Sequence, residues 1–396
     1  MQSSSKTVIT LDGLKRRFFE VRTVFGPAWL VMMADVDAAS VITAIQSGAS
    51  YKYGLVLILL ALIVPLYFIM EVAGRIGATT KKGLGELVRE NFSKRLSLII
   101  SLPMTITDFL SYVAEYAAMA VGLEIVGIPP IVSLPIIYAV HILVVFKQEY
   151  ETAEKYLLAV SLVLLLAYIF FMARGMSLPY HSLIPSKIDK DFLFLVAANV
   201  GAVVMPFMLF YQTSATAKKG YHSVKATRIE TLIGAIFSQI IMVAIVFASV
   251  GLSENIAISD NSSLTDAILN IGGTYKSYAF AIGLVAAGFL GLVVISLAGS
   301  WGVVEALNLK GNTWFKIYIA ESLPAVVLVF YFNDLIGLVL TLMVTLIFVL
   351  IGPVVAMGLL AQNKMLMGTH ALGTFDRIAF WGSVVVVITC GLLAFV

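Results

Sequence analysis

Two aspartates stand two residues apart within an otherwise apolar run, GPAWLVMMADVDAASVITAIQSG, where Asp35, Asp37 and Ser40 fall near the centre. If the run crosses a bilayer, a charge at that depth costs about 2.5–3.5 kcal/mol, so the acids require a reason to be there. A cation is one. Asp37 offers a hard anionic oxygen and Ser40 a hydroxyl within one turn, while Ala34 and, from a second run, Ala202 offer backbone carbonyls. The second run, AANVGAVVMPFMLFYQTSA, carries Gly201 and Pro206. Proline lacks an amide donor and crowds the carbonyl four residues back, which predicts a kink or unwinding near Ala202. Freed carbonyls at membrane depth are tolerated only against protein or a polar cavity, so the two interruptions are expected to face each other. Met205, beside the proline, adds a thioether that shifts selectivity from magnesium or calcium toward manganese, iron or cadmium. Ordinary apolar packing is the competing reading for one methionine among 15. Asp35 would lie about 200° around an intact helix from Asp37, so only unwinding brings both to one cavity. Otherwise it is an acid behind the ligands, a proton acceptor or a ligand on the entry path.

The elements that must position these groups are membrane helices. Of 396 residues, 60% are hydrophobic and 12% charged, with mean hydropathy +0.99, more apolar surface than an aqueous fold buries. The lipid bilayer is therefore the expected solvent. A net charge of +3 excludes a basic nucleic-acid footprint. The single cysteine, Cys390, excludes a disulfide framework, a thiolate cluster and a CxxC redox pair. Spans of about 20 apolar residues are read at 26–50, 54–74, 97–124, 129–146, 155–174, 192–217, 230–253, 277–300, 315–333, 336–361 and 378–396. Of the 26 basic residues, 21 fall on the side of the N-terminal tail, Lys81, Lys82, Lys218 and Lys219 among them; five, including Lys52 and Lys187, fall opposite. The positive-inside rule then places the N-terminus in the cytoplasm and the C-terminus outside. Segment 1–24 reads as a cytoplasmic amphipathic extension, without the apolar core of a signal peptide.

The spans at 26–50 and 192–217 each head a block of five, so the interruptions recur at matching positions of repeats of opposite topology: repeat one about 25–174, repeat two about 192–361, and an extra helix about 378–396. Inverted repeats with discontinuous helices build midplane sites in secondary transporters.

At these residues the chain resembles the Nramp family of proton-coupled divalent-metal transporters, within the LeuT-like superfamily. The stretch SGASYKYGLVLILLALIVPLYFIMEVAGRIGATTKKGLGELVRE resembles its second helix and following loop, VAEYAAMAVGLEIVGIPP its third, and AAGFLGLVVISLAGSWGVVEALN its eighth, while Leu366, Met367 and Gly368 fall where the tenth ends. The motifs diverge. Where the family has Asp-Pro-Gly-Asn this chain has Asp37, Ala38, Ala39 and Ser40; where it has Met-Pro-His this chain has Met205, Pro206 and Phe207. The resemblance implies metal ligation by Asp37 and Met205, carbonyl donation by Ala34 and Ala202, and Ser40 in place of the asparagine. Of the family's proton network only Glu115 remains, since the third-helix aspartate falls on Tyr112 and the ninth helix has no arginine pair. Asp108, seven residues before Glu115 and nearly on its face, is a substitute carboxylate or an interhelical polar contact. Uniport, or a relay through Asp35 and Glu115, fits the same residues.

Other polar residues have plainer readings. His141 reads as an interhelical hydrogen bonder, Glu71 and Arg75 as an i to i+4 ion pair, and Glu305 and Glu321 have no partner identifiable from sequence. No phosphate-binding loop, HExxH or serine, histidine and aspartate set appears. The expectation is an all-α membrane protein of about eleven helices with a LeuT-like 5+5 inverted repeat, discontinuous in helices one and six. It is read as a non-enzymatic importer of divalent metal in the inner membrane of a prokaryote, with no cofactor, weak or altered proton coupling and undetermined oligomeric state. Rival readings are a magnesium, organic-cation or amino-acid carrier of the same fold, and a transport-dead metal sensor.

Overall fold

Proline, glycine and side-chain caps decide where the apolar runs of this chain are cut into helices. The computed structural model describes residues 26–146, 159–161, 163, 166, 183–185, 187–219, 223–250, 261–310, 313–331 and 335–396, with side chains described throughout except at 261–277 and 335–336. The predicted N-terminal extension 1–24, His181, His222 and all of the fifth span but 159–161, 163 and 166 lie outside the described residues. Among the described residues, eight helices are long and apolar enough to cross a membrane, and a ninth span is a bent pair. A shorter apolar helix of 17 residues occupies the predicted fourth span.

The bent pair is the first span. Helix α1 (Pro27–Ala34) opens with proline in its first turn, where its missing amide costs nothing, and α2 (Ala38–Tyr51) follows at 49°. The second span combines α3 (Val56–Ala61) and α4 (Ile63–Thr80), and a short α5 (Leu84–Asn91) leads into α6 (Lys94–Ile125). After α7 (Pro130–Phe146), the sixth span is divided into α8 (Lys190–Val203) and α9 (Pro206–Lys219). The chain continues through α10 (Val224–Ser249), α11 (Asn261–Leu307), α12 (Thr313–Leu328), α13 (Leu335–Gln362), the single-turn α14 (Lys364–Met367) and α15 (Thr374–Leu392).

The second interruption lies slightly beyond the place expected. Ala202 is still helical, and Val204 and Met205 are the residues between helices. Pro206 does not bend a continuous helix; it starts a new one at the first helical position, where its fixed φ is already suitable. The chemical consequence is unchanged, because the amide that would pair with the Ala202 carbonyl belongs to position 206 and a proline has none.

The halves of both broken spans sit at the centre. Helices α1 and α2 pack on α10, α2 also meets α6, α8 and α11, and α11 has its most extensive contact with α6. Close approach of α8 to α13 depends on Gly201, since a Cβ there would stand 1.8 Å from the Met343 carbonyl oxygen. At the basic end, the expected Glu71–Arg75 pair is present at 2.8 Å and is half of a larger cluster. Arg228 of α10 bonds Glu71 at 2.7 Å, and Asp376 of α15 accepts from Arg75 at 2.7 Å and Arg228 at 3.1 Å.

Candidate metal-binding site

Each half of the site originates in an unsatisfied helix end. Helix α2 begins with three amides that lack intrahelical acceptors, and carboxylates take all three. Asp37, extended at φ −74° and ψ 174°, caps the helix by accepting from the Ser40 amide at 2.7 Å. Glu115 of α6 accepts from Ala38 at 3.1 Å through Oε2 and from Ala39 at 3.4 Å through Oε1. The positive end of the helix dipole favours this arrangement. Both acids are inaccessible, at 1% and 0% exposure, and both lie beside the same glycine.

Gly291 of α11 makes room for the pair. A Cβ at that position would lie 3.0 Å from the Asp37 Cβ and 3.3 Å from the Glu115 carboxylate. Two facing carboxylates in a dry site repel unless a proton or a metal ion stands between them. The second broken span joins from the other side: the Ser40 hydroxyl donates to the Ala202 carbonyl at 3.3 Å, the carbonyl that Pro206 leaves free. The two interruptions therefore meet, as their sequences imply.

The other predicted residues divide between this place and another. Met205, buried in the second break, donates its amide to the Met208 sulfur at 3.4 Å, and Phe207 is buried in the first turn of α9. Ala34 closes α1. Asp35 follows as its C-cap, and neither of its buried carboxylate oxygens has a hydrogen-bond partner. Unwinding thus frees Asp35 from the 200° geometry of a continuous helix. Asp108 shares its face of α6 with Glu115 but lies against Gly299, near Glu321 of α12. Tyr112 accompanies it.

Sequence reasoning missed three features: the Ala38 and Ala39 amides as ligands for Glu115, Gly291 as the gap that admits both acids, and Glu321 as a partner of Asp108. The first had a signal, because replacing proline with Ala38 restores an N–H at a helix start. His141 has the role expected, bonding Tyr116 at 2.6 Å and Ser296 at 2.9 Å.

Away from the basic end, a cavity of about 550 Å³ is lined by Gln46, Ser50 and Tyr51 of α2 together with Lys187, Asp189 and Asp191. Below it on α2, Ser47 accepts from Asn199 of α8 at 2.7 Å, continuing the polar face toward Ser40. Hydrogen bonds from Lys187 and Tyr51 hold the Asp189 carboxyl well below the usual carboxylate range. With one lysine and two carboxylates in its lining the cavity has a formal charge of −1, Lys187 and Asp189 pairing at 2.6 Å.

Comparison with known proteins bears on what such a site belongs to. Residues 28–396 match the family described as natural resistance-associated macrophage protein-like. The chain belongs to the Nramp family. Among its relatives in that family, the divalent metal cation transporter MntH of Bacillus subtilis is 24% identical over 391 residues, covering 94% of this chain and 91% of that protein. MntH of Caldanaerobacter subterraneus is 26% identical, covering 89% and 88%. A mutant of the Eremococcus coleocola manganese transporter superposes with TM-score 0.82 at 17% identity, over 98% of this chain and 89% of that one. A nucleobase-cation-symport-1 family transporter aligns at TM-score 0.59 and 14% identity, over 94% and 91%. The fold is accordingly that of the Nramp and LeuT-like transporters, and this Nramp chain is a divergent member of a transporter family, not an enzyme.

Proposed function

We propose that this Nramp protein is a secondary transporter that imports a divalent metal ion by alternating access, with the ion held between the two broken spans. The observation that carries the reading is the buried Asp37–Glu115 pair, two carboxylates that need positive charge and sit beside the Ser40–Ala202 link between the interruptions. The ligands in this reading are Asp37, Met205, Ser40 and the carbonyls of Ala34 and Ala202, with Asp35 behind them. On ion entry the Ser40 hydroxyl releases Ala202, and both turn to the metal. The Met205 thioether supports a preference for manganese, iron or cadmium over magnesium. Relatives named as divalent metal cation transporters support the same substrate class.

Proton coupling in this reading is weak or altered. Glu115 spends both oxygens on helix amides, and Phe207 and Tyr112 stand where the family resemblance expects titratable groups. The charge asymmetry supports a cytoplasmic N-terminus, so the anionic cavity at Asp189 and Asp191 opens outward as the entry side, in the plasma membrane.

Uptake by liposomes tests the reading. The protein should carry Mn²⁺ and Cd²⁺, Asp37→Ala should abolish the flux, and a pH dye trapped inside should report little acidification. Absence of flux for every divalent ion tested removes the proposal, and strong acidification removes its coupling clause.

A further inference from the structure

Two turns along α6 from Glu115, toward the basic end, a second group of buried oxygens has nothing to bind. Asp108 is 2% exposed and its Oδ2 has no hydrogen-bond partner; it occupies the space beside Gly299 of α11, 2.5 Å from where a Cβ would be. Glu321 of α12 is 6% exposed, and neither of its carboxylate oxygens is bonded. Two phenols share this condition. Tyr112, one turn after Asp108, and Tyr318, one turn before Glu321, are each 0% exposed; their hydroxyls lie near Ser296 and Ser322 respectively but make no well-formed hydrogen bond.

These groups come from α6 and α12, which pack on each other. Asp108 and Glu321 act on each other through space, and both act on Tyr112. His141 packs between the two phenols, its ring centroid 6.3 Å from that of Tyr112 and 5.1 Å from that of Tyr318. The histidine itself is not available. Ser296 donates its hydroxyl proton to the Leu292 carbonyl at 2.6 Å, so it accepts from His141 Nε2–H, and Nδ1 is left to accept from the Tyr116 hydroxyl. Both ring nitrogens are committed, and the imidazole forms a neutral wall.

We infer that Asp108, Glu321, Tyr112 and Tyr318 form a second cation-binding site, made of oxygen ligands alone and separate from the Asp37 site. Positive charge is what the cluster lacks, because among the described residues neither acid forms an ion pair. A proton shared by the two acids would occupy one oxygen of each and leave the other Glu321 oxygen and both phenols unpaired, and unpaired buried polar groups are rare. A small hard cation accepts five or more oxygens at once. Without thioether, thiolate or free imidazole, the donor set does not favour soft ions. Seven residues at 1.5 Å each place it about 10 Å from Glu115 along α6, on a helix that both sites share.

The test uses the purified full-length Asp37→Ala protein in detergent, so that binding is read without the first site. Equilibrium binding of ²²Na⁺, ⁴⁵Ca²⁺ and Mn²⁺ is measured, the first two distinguishing a monovalent from a divalent occupant. Retention of about one equivalent of Na⁺ or Ca²⁺ is expected. Adding Glu321→Gln should weaken that binding at least about tenfold, as loss of a charged oxygen ligand requires. Tyr112→Phe, which removes only a hydroxyl and keeps the packing, should weaken it measurably with unchanged gel-filtration behaviour. The inference is overturned if the Asp37→Ala protein binds none of the three ions, binds Mn²⁺ alone, or binds with an affinity that neither added substitution alters.

Discussion

Ala38 stands where the family pattern has proline, and restoring that proline isolates one interaction. The backbone already accepts it. Ala38 is the first residue of α2, where proline breaks no intrahelical bond, and Asp37 at φ −74° and ψ 174° has the extended conformation a residue before proline requires. What changes is the amide. Its N–H donates to Glu115 Oε2 at 3.1 Å, and in Ala38→Pro the ring Cδ takes the proton's place, so the carboxylate must withdraw. Hydrogen bonds to charged groups contribute about 1.5–3 kcal/mol. Proline returns about 0.4–1 kcal/mol by restricting the unfolded chain, so the net cost is roughly 1–2 kcal/mol. In a Glu115→Gln background the lost bond is neutral and roughly half as strong, which makes the same substitution nearly costless. Equilibrium unfolding in mixed detergent and SDS, for the four proteins of the double-mutant cycle, should give a coupling of about 1 kcal/mol. Additivity within about 0.5 kcal/mol would show that the charge on Glu115 adds nothing at the Ala38 amide and refute the account of a carboxylate held by the start of α2.

Two further outcomes follow from the geometry. Gly291→Ala puts a methyl 3.0 Å from the Asp37 Cβ and 3.3 Å from the Glu115 carboxylate; overpacking of about 1–3 kcal/mol should weaken Mn²⁺ binding roughly 5- to 150-fold by titration calorimetry. Gly382→Ala, with nothing within 4 Å of its Cβ, should change nothing, and equal affinities for the two variants would count against a site beside Gly291. Asp189 concerns pH. Its carboxyl is held below its ordinary range by Lys187, Tyr51 and the Phe192 amide, so its contribution is present above the unfolded pKa and lost only as pH falls through the lower folded one. Hydrogen exchange of the Phe192 amide should therefore remain slow at pH about 4, where an unpaired aspartate is half protonated; a rise in exchange centred there would contradict the pairing.

What could be read from the chain was whatever violates its own apolar pattern. Charges inside a membrane run are costly, so Asp35, Asp37 and Pro206 mark the two interruptions without a structure, and Lys and Arg placement marks the ends of the spans. The exact residues of the second break were not legible, because a proline reads alike as a kink in one helix or the first residue of the next. Gly291 looked like any glycine in an apolar run; its meaning depends on two acids brought to it from α2 and α6. Glu321 had no visible partner because Asp108 lies 213 positions earlier in the chain and meets it only through packing of α6 and α12. Helical periodicity relates Asp108 to Glu115 on one helix, and has no access to what a second helix presents.

The departures around the site are physically linked. Proline at position 38 would leave only the Ala39 and Ser40 amides at the start of α2. With alanine there, all three first-turn amides are filled by carboxylates, two of the bonds going to Glu115. A glutamate fixed at both oxygens by a helix terminus is well placed to hold negative charge beside Asp37 and poorly placed to swing away with a proton. In the proposed reading, Phe207 and Tyr112 stand where the family resemblance expects an imidazole and a carboxylate, and neither a phenyl ring nor a neutral phenol readily accepts a proton. The changes at positions 38, 207 and 112 thus agree in direction with the proposed function: in that reading Glu115 acts on the ion by electrostatics from a fixed position, and proton coupling is weak.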